Sequence, residues 1–153
     1  MTENEIAARV LDAAFKVHRT LGPGLLESVY HTVLVYVLRK NGLAVRAPAP
    51  IDIVYDDLRF TGAFAADLIV EDKVVVELKS VEKTAPVHKK QTLTYVRLAD
   101  KRLGLLLNFG AAMLKDGITR VANGLDDTPP HVAALRRCER LLPNPDRNSA
   151  GLH

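Results

Sequence analysis

The sequence predicts a mixed α/β domain whose sheet is covered by helices, and three observations carry that expectation. Apolar residues recur at helical spacing through the first two segments, from Ile6 to Leu21 and from Leu26 to Val37. Periodicity then changes to alternation between residues 51 and 79. A continuous apolar run, Leu-Gly-Leu-Leu-Leu-Asn-Phe at 103–109, has the length and character of a central strand buried on both faces.

The first helix opens on Thr2 and Glu5, which have capping-box spacing, and its stripe is Ile6, Val10, Ala13, Val17 and Leu21. Gly22-Pro23 stops it. A second helix is expected after Gly24, with Leu26, Val29, Val33 and Val37 buried and Asn41-Gly42 at its end. Three antiparallel strands follow: 51–55 with a return through Leu58-Arg59-Phe60, then 63–70, then 74–79. Pro86 precedes a helix from about Val87 to Leu98; if its polar residues form an ordinary outer face, Val87 and Leu93–Val96 pack inward. After the central strand, 113–121 reads as a hairpin turning at Asp116-Gly117.

The chain of 153 residues, 48% hydrophobic and 25% charged, suits one domain with a single core. We place that domain at 1–124 and a basic extension at 125–153, a short helix followed by a tail without means of packing. A net charge of +3 leans weakly towards an anionic partner. Cys138 is the only cysteine, which excludes an internal disulfide and a cysteine-based zinc site. The N-terminus lacks a signal-peptide pattern and no apolar run could span a bilayer, so a cytoplasmic protein without membrane contact is expected.

Chemistry enters with Glu77 and Lys79, set into an otherwise apolar strand. If Glu71-Asp72-Lys73 forms a three-residue loop, Val70 pairs with Val74 and Asp67 falls opposite Glu77. Alternation then puts Asp67, Glu77 and Lys79 on one sheet face. Two opposed carboxylates repel, and a divalent cation relieves that repulsion because hard cations prefer clustered carboxylate oxygens. Taken alone, the pattern also describes a solvated strand face with one chance acid. His88, Gln91 and Tyr95, at i, i+3 and i+7, share one face of the third helix, which equally describes an ordinary polar outer face.

Gly24-Leu-Leu-Glu27-Ser-Val-Tyr30 fits Gly-x-x-Glu-x-x-Tyr, and residues 5–124 resemble the GxxExxY family of small bacterial proteins. That family is similar to the PD-(D/E)XK nuclease superfamily, whose restriction-endonuclease-like core runs α-β-β-β-α-β. The resemblance implies that Asp67, Glu77 and Lys79 are the signature acids and lysine, with Glu27 as a helix-borne acid. Gln91 and Tyr95 match the Gln-x-x-x-Tyr motif of the RecB-like and phage-exonuclease-like branches. Two departures stand out: Ala66 replaces the superfamily's proline, and Ala65 is small where a basic residue is expected.

The implied function is metal-dependent hydrolysis of phosphodiester bonds, with DNA favoured over RNA and little sequence specificity. Asp67, Glu77 and Glu27 would hold Mg²⁺ or Mn²⁺, helped by a backbone carbonyl near Leu78. Lys79, Gln91 and Tyr95 would orient water and phosphate. Tyr30, His88, Lys89, Lys90 and Arg97 are the expected nucleic-acid contacts, with Lys83, Arg136, Arg137 and Arg140 as further basic candidates. The competing readings are a binding module that keeps the fold without catalysis, for nucleic acid or protein, and an oligomerising protein whose acids form ordinary ion pairs. A homo-oligomer or a partner protein is compatible with so small a domain.

Overall fold

A computed structural model describes residues 1–125, so the expected short helix, the tail and Arg136, Arg137 and Arg140 lie outside the described residues. Two helices come first, α1 (Glu3–Leu21) and α2 (Glu27–Lys40). The strands are β1 (Val45–Arg46), β2 (Ala49–Tyr55), β3 (Leu58–Ala66), β4 (Leu68–Val70) and β5 (Val74–Lys79). Then come α3 (Pro86–Leu98), β6 (Leu103–Asn108), a 3-10 turn (Leu114–Gly117) and β7 (Ile118–Ala122). The capping box at Thr2 and Glu5 is formed, each residue bonding the other's backbone amide.

The main sheet has the order β1-β4-β5-β6-β7. Strands β5 and β6 are parallel, joined by α3 as crossover, and the other neighbours are antiparallel. One face packs on α1 and α2 through Leu68, Val76, Leu78, Leu105 and Leu107. The other meets α3, where Ile69 and Val75 join Val96. Strand β6 is buried along its whole length, as the continuous apolar run requires. Gly104 brings α3 close: a Cβ there would lie 2.5 Å from Val96 Cγ2 and 3.2 Å from Thr92 Cγ2.

Four expectations are corrected. Segment 63–70 is not one strand: β3 pairs with β2 in a separate two-stranded sheet, and the chain crosses into the main sheet at Asp67. The partner segment breaks at the same level, Ala47-Pro48, between β1 and β2. Proline has no amide to continue the ladder. In α2 the buried side chains are Tyr30, Leu34, Val35 and Leu38, whereas Leu26 and Val29 are exposed. In α3 it is Thr92 and Val96 that are buried, and Val87 is exposed. Residues 113–121 form no hairpin; β7 returns antiparallel along β6 with Leu103 facing Ala122.

Candidate active site

The turn between β4 and β5 fixes the site. Glu71 and Asp72 both take left-handed backbone angles, φ 52°, and Lys73 N–H closes on the Val70 carbonyl at 3.0 Å. The register Val70–Val74, Ile69–Val75 and Leu68–Val76 then carries Asp67 to Glu77, as the three-residue loop predicts.

The two acids are interlocked through the backbone. Glu77 Oε1 accepts from Asp67 N–H at 3.1 Å, and Asp67 Oδ2 accepts from Leu78 N–H at 2.8 Å. Glu77 is only 6% exposed. Burial and then the charge of Asp67 push the Glu77 pKa up to about 8, against the opposing pull of the Asp67 backbone amide and, more weakly, of Lys79. At neutral pH the pair therefore retains a proton. Two adjacent carboxylates, Glu77 buried and Asp67 half-buried, offer the all-oxygen donor set a hard divalent cation takes, so these residues fit such an ion.

Helix α3 contributes Tyr95. Burial, and then the negative charge of Glu77, raise its hydroxyl pKa, which places the phenol within the field of the acids. Gln91 Nε2 donates to Tyr95 Oη at 2.8 Å. The ring is stacked on Phe64 of β3 at 4.4 Å between centroids. Lys79, the half-buried last residue of β5, acts on Glu77 by charge. Asp67, Glu77, Lys79, Tyr95 and Gln91 thus come together as a group.

Glu27 does not join the two acids. It is exposed and lines an open cavity of about 630 Å³ with Gly24, Ser80, Glu82 and Gly110, at the carboxyl ends of the parallel strands β5 and β6. Among the described residues no group of three or more His, Cys, Asp or Glu side chains is gathered for a metal. Of the three expected metal ligands, Asp67 and Glu77 are thus adjacent and Glu27 lies in the neighbouring cavity.

Tyr30 is also corrected. It is completely buried and stacked on Phe109 at 4.7 Å, so it offers no surface to nucleic acid. Its hydroxyl donates to the Gly22 carbonyl at 2.5 Å and accepts from Leu25 N–H at 3.1 Å. Ser80 Oγ, one residue beyond Lys79, donates to the Leu25 carbonyl at 2.5 Å. Together they fasten the loop that leads to Glu27 onto the end of β5. Gly22 and Gly24, at φ 72° and 95°, permit its turns.

His88 Nδ1 accepts from Ala85 N–H at 3.0 Å, capping α3 with its own side chain. Lys83, Lys89, Lys90 and Arg97 are exposed. Sequence reasoning missed Ser80 and also His31, whose Nε2 donates to the Asp67 carbonyl at 3.0 Å. Neither residue has a spacing that announces its role, because each acts on backbone distant in sequence.

A carboxylate at a strand break opposite a second on the neighbouring strand, in a mixed sheet covered by helices, is the arrangement of a nuclease-type fold. Residues 4–121 match the PD-(D/E)XK nuclease superfamily, and the chain belongs to it. Nucleases of that superfamily act on nucleic acids and generally depend on divalent metals. Among solved structures, the chain is similar to the one titled "Crystal structure of SSO0001", at 19% identity and a TM-score of 0.49, over 94% of this chain and 71% of that one. No curated protein matches the sequence. Among the described residues, no helix is long and apolar enough to cross a membrane.

Proposed function

We propose that this protein is a divalent-metal-dependent nuclease of the GxxExxY type, hydrolysing DNA phosphodiester bonds with little sequence specificity. The observation that carries the reading is the interlocked Asp67–Glu77 pair, with Glu77 buried and Asp67 half-buried, flanked by Lys79 and Tyr95. Asp67 and Glu77 would hold Mg²⁺ or Mn²⁺. Such an ion, when bound, polarises the scissile phosphate and lowers the pKa of its water.

The chain's own groups do the rest. The amides of Asp67 and Leu78 fix both carboxylates before any ligand arrives, so little ordering remains at the moment of binding. Lys79 supplies a compact positive charge for the extra charge that develops on the phosphoryl oxygens. Tyr95, steadied by Gln91 and Phe64, presents its hydroxyl beside the acids to hold a phosphate oxygen or the attacking water. Glu27 lines the adjoining cavity and would orient water there. Lys89, Lys90 and Arg97 would add backbone contacts that ignore sequence.

The test is hydrolysis of single- and double-stranded DNA and RNA in Mg²⁺, Mn²⁺ or EDTA, with Asp67→Asn and Lys79→Ala beside the wild type. DNA cleavage that needs metal and both residues is expected. Equal activity in both variants would overturn the assignment. A wild type that fails to bind Mn²⁺ by calorimetry would instead mark a binding module without catalysis.

A further inference from the structure

A second recess lies on the opposite side of the sheet edge from Tyr95, and the nuclease reading makes no use of it. It is an open groove of about 530 Å³ between α2 and the segment that follows β1. Two rows of α2 side chains line it at i, i+4 spacing: His31 with Val35 and Arg39, and Thr32 with Tyr36 and Lys40. Ala47 forms the facing wall. No carboxylate lines the groove.

We propose that this groove is a binding track for a single strand of nucleic acid, whose inner end delivers the strand to Asp67. Its direction rests on the nuclease reading of the Asp67 site, whereas the binding itself does not. Five observations support it.

The charged side chains of the lining, Arg39 and Lys40, are both cationic and face no acid there, which suits a phosphodiester backbone. Tyr36 is 62% exposed, an aromatic ring kept in solvent rather than packed, and a base can stack on it. Lys40 Nζ stands over one face of that ring, 5.8 Å from its centre, so a base stacked on the other face would have a phosphate-binding charge close by. Arg39 is braced by donating Nη2 to the Val45 carbonyl at 2.9 Å, and an arginine fork has further donors to offer. At the inner end His31 grips the carbonyl of Asp67 itself at 3.0 Å.

A duplex keeps its base faces stacked on one another, so only an unpaired strand can use Tyr36 in this way. From residue 31 to residue 40 the helix rises about 13 Å, enough for a short run of nucleotides rather than a long footprint.

The experiment is fluorescence anisotropy of a labelled oligothymidylate and of a labelled duplex, in EDTA to prevent cleavage, across a salt series. The full-length wild type, Tyr36→Ala, Tyr36→Phe, Lys40→Ala and Arg39→Ala are compared. The single strand is expected to bind more tightly than the duplex. Lys40→Ala should weaken binding and reduce the slope of log K against log salt by about 0.7, the value for one lost phosphate contact on a single strand. Tyr36→Ala should weaken it by about fivefold to a hundredfold with the slope unchanged, and Tyr36→Phe should retain affinity.

Tyr36 and Lys40 are exposed, so their variants should keep the wild-type melting temperature. Arg39→Ala removes a bond to β1 and is read only alongside Lys40→Ala. Wild-type affinity in both Tyr36→Ala and Lys40→Ala overturns the proposal, as does a preference for the duplex. If metal-dependent cleavage requires Asp67 but ignores the groove variants, the groove fails and the nuclease stands. If the wild type never cleaves yet binds through Tyr36 and Lys40, the nuclease fails and the groove stands.

Discussion

Asp67 and Glu77 each hold the backbone at the other's position: Glu77 takes the amide of Asp67 at 3.1 Å, and Asp67 takes the amide following Glu77 at 2.8 Å. Neither carboxylate can swing away without leaving a part-buried amide unpaired, which costs about 1–3 kcal/mol. The pair is therefore a preset feature of the sheet, and its electrostatics are what a ligand must answer.

The first prediction concerns pH. The Glu77 pKa rises from 4.5 to about 8 on folding, so between those values the folded chain keeps a proton that the unfolded chain has lost. This contribution to stability is fully present below the lower value and is lost as pH rises through the upper one. Melting temperature without metal should fall across that window and level off above it, and Glu77→Gln should flatten the trend. Calorimetry in buffers of different ionisation enthalpy should show Mn²⁺ binding at pH 7 releasing about one proton, with less release above pH 9. A release independent of pH would show that Glu77 is not the protonated partner.

Lys79 should resist conservative replacement. Lys79→Arg is expected to lose cleavage by about 10²–10³-fold, close to Lys79→Ala, because the planar guanidinium cannot reproduce a compact charge at the end of a buried strand. Initial rates in saturating Mn²⁺, with circular dichroism as the control for folding, decide it. Arginine activity near wild type would remove Lys79 from direct contact with the phosphate.

Tyr30 separates clamp from contact. Tyr30→Phe deletes the hydroxyl between Gly22 and Leu25 and should cost about 1–3 kcal/mol in urea unfolding. Its effect should be coupled to that of Ser80→Ala, since both hold Leu25. Affinity for nucleic acid should stay at the wild-type value. A selective loss of affinity in a fully stable variant would restore the surface role that burial excludes.

Gly104→Ala should destabilise by about 1–3 kcal/mol, because the new methyl meets Val96 and Thr92 and α3 must lift. Catalysis should fall further than stability explains, as Gln91 and Tyr95 ride on the same helix. Rates measured well below the melting temperature separate the two effects.

The carboxylate register was legible because a short polar turn followed by three valines leaves one alternation that buries the strand. The division at Asp67 was not, since both halves of 63–70 alternate alike and pattern says nothing about which sheet a strand joins. In α2, apolar residues surround most of the circumference. The phase through Val29 and Val33 therefore competed with the true one through Tyr30 and Leu34, and Tyr30 was assigned to the outside. Ser80 and His31 act on carbonyls more than thirty residues away in sequence, a relationship that local spacing does not encode.

Asp67 is the residue at which the chain leaves one sheet and enters another, with Ala66 committed to Ala49 on one side and Leu68 to Val76 on the other. An inserted or deleted residue between Phe64 and Val70 cannot be absorbed by sliding, because each sheet locks its own half. Related chains should accommodate length changes freely at Asp56-Asp57, the far tip of the hairpin, and scarcely at all around the acid. Loop grafts aimed at altering what this protein engages therefore belong at that tip.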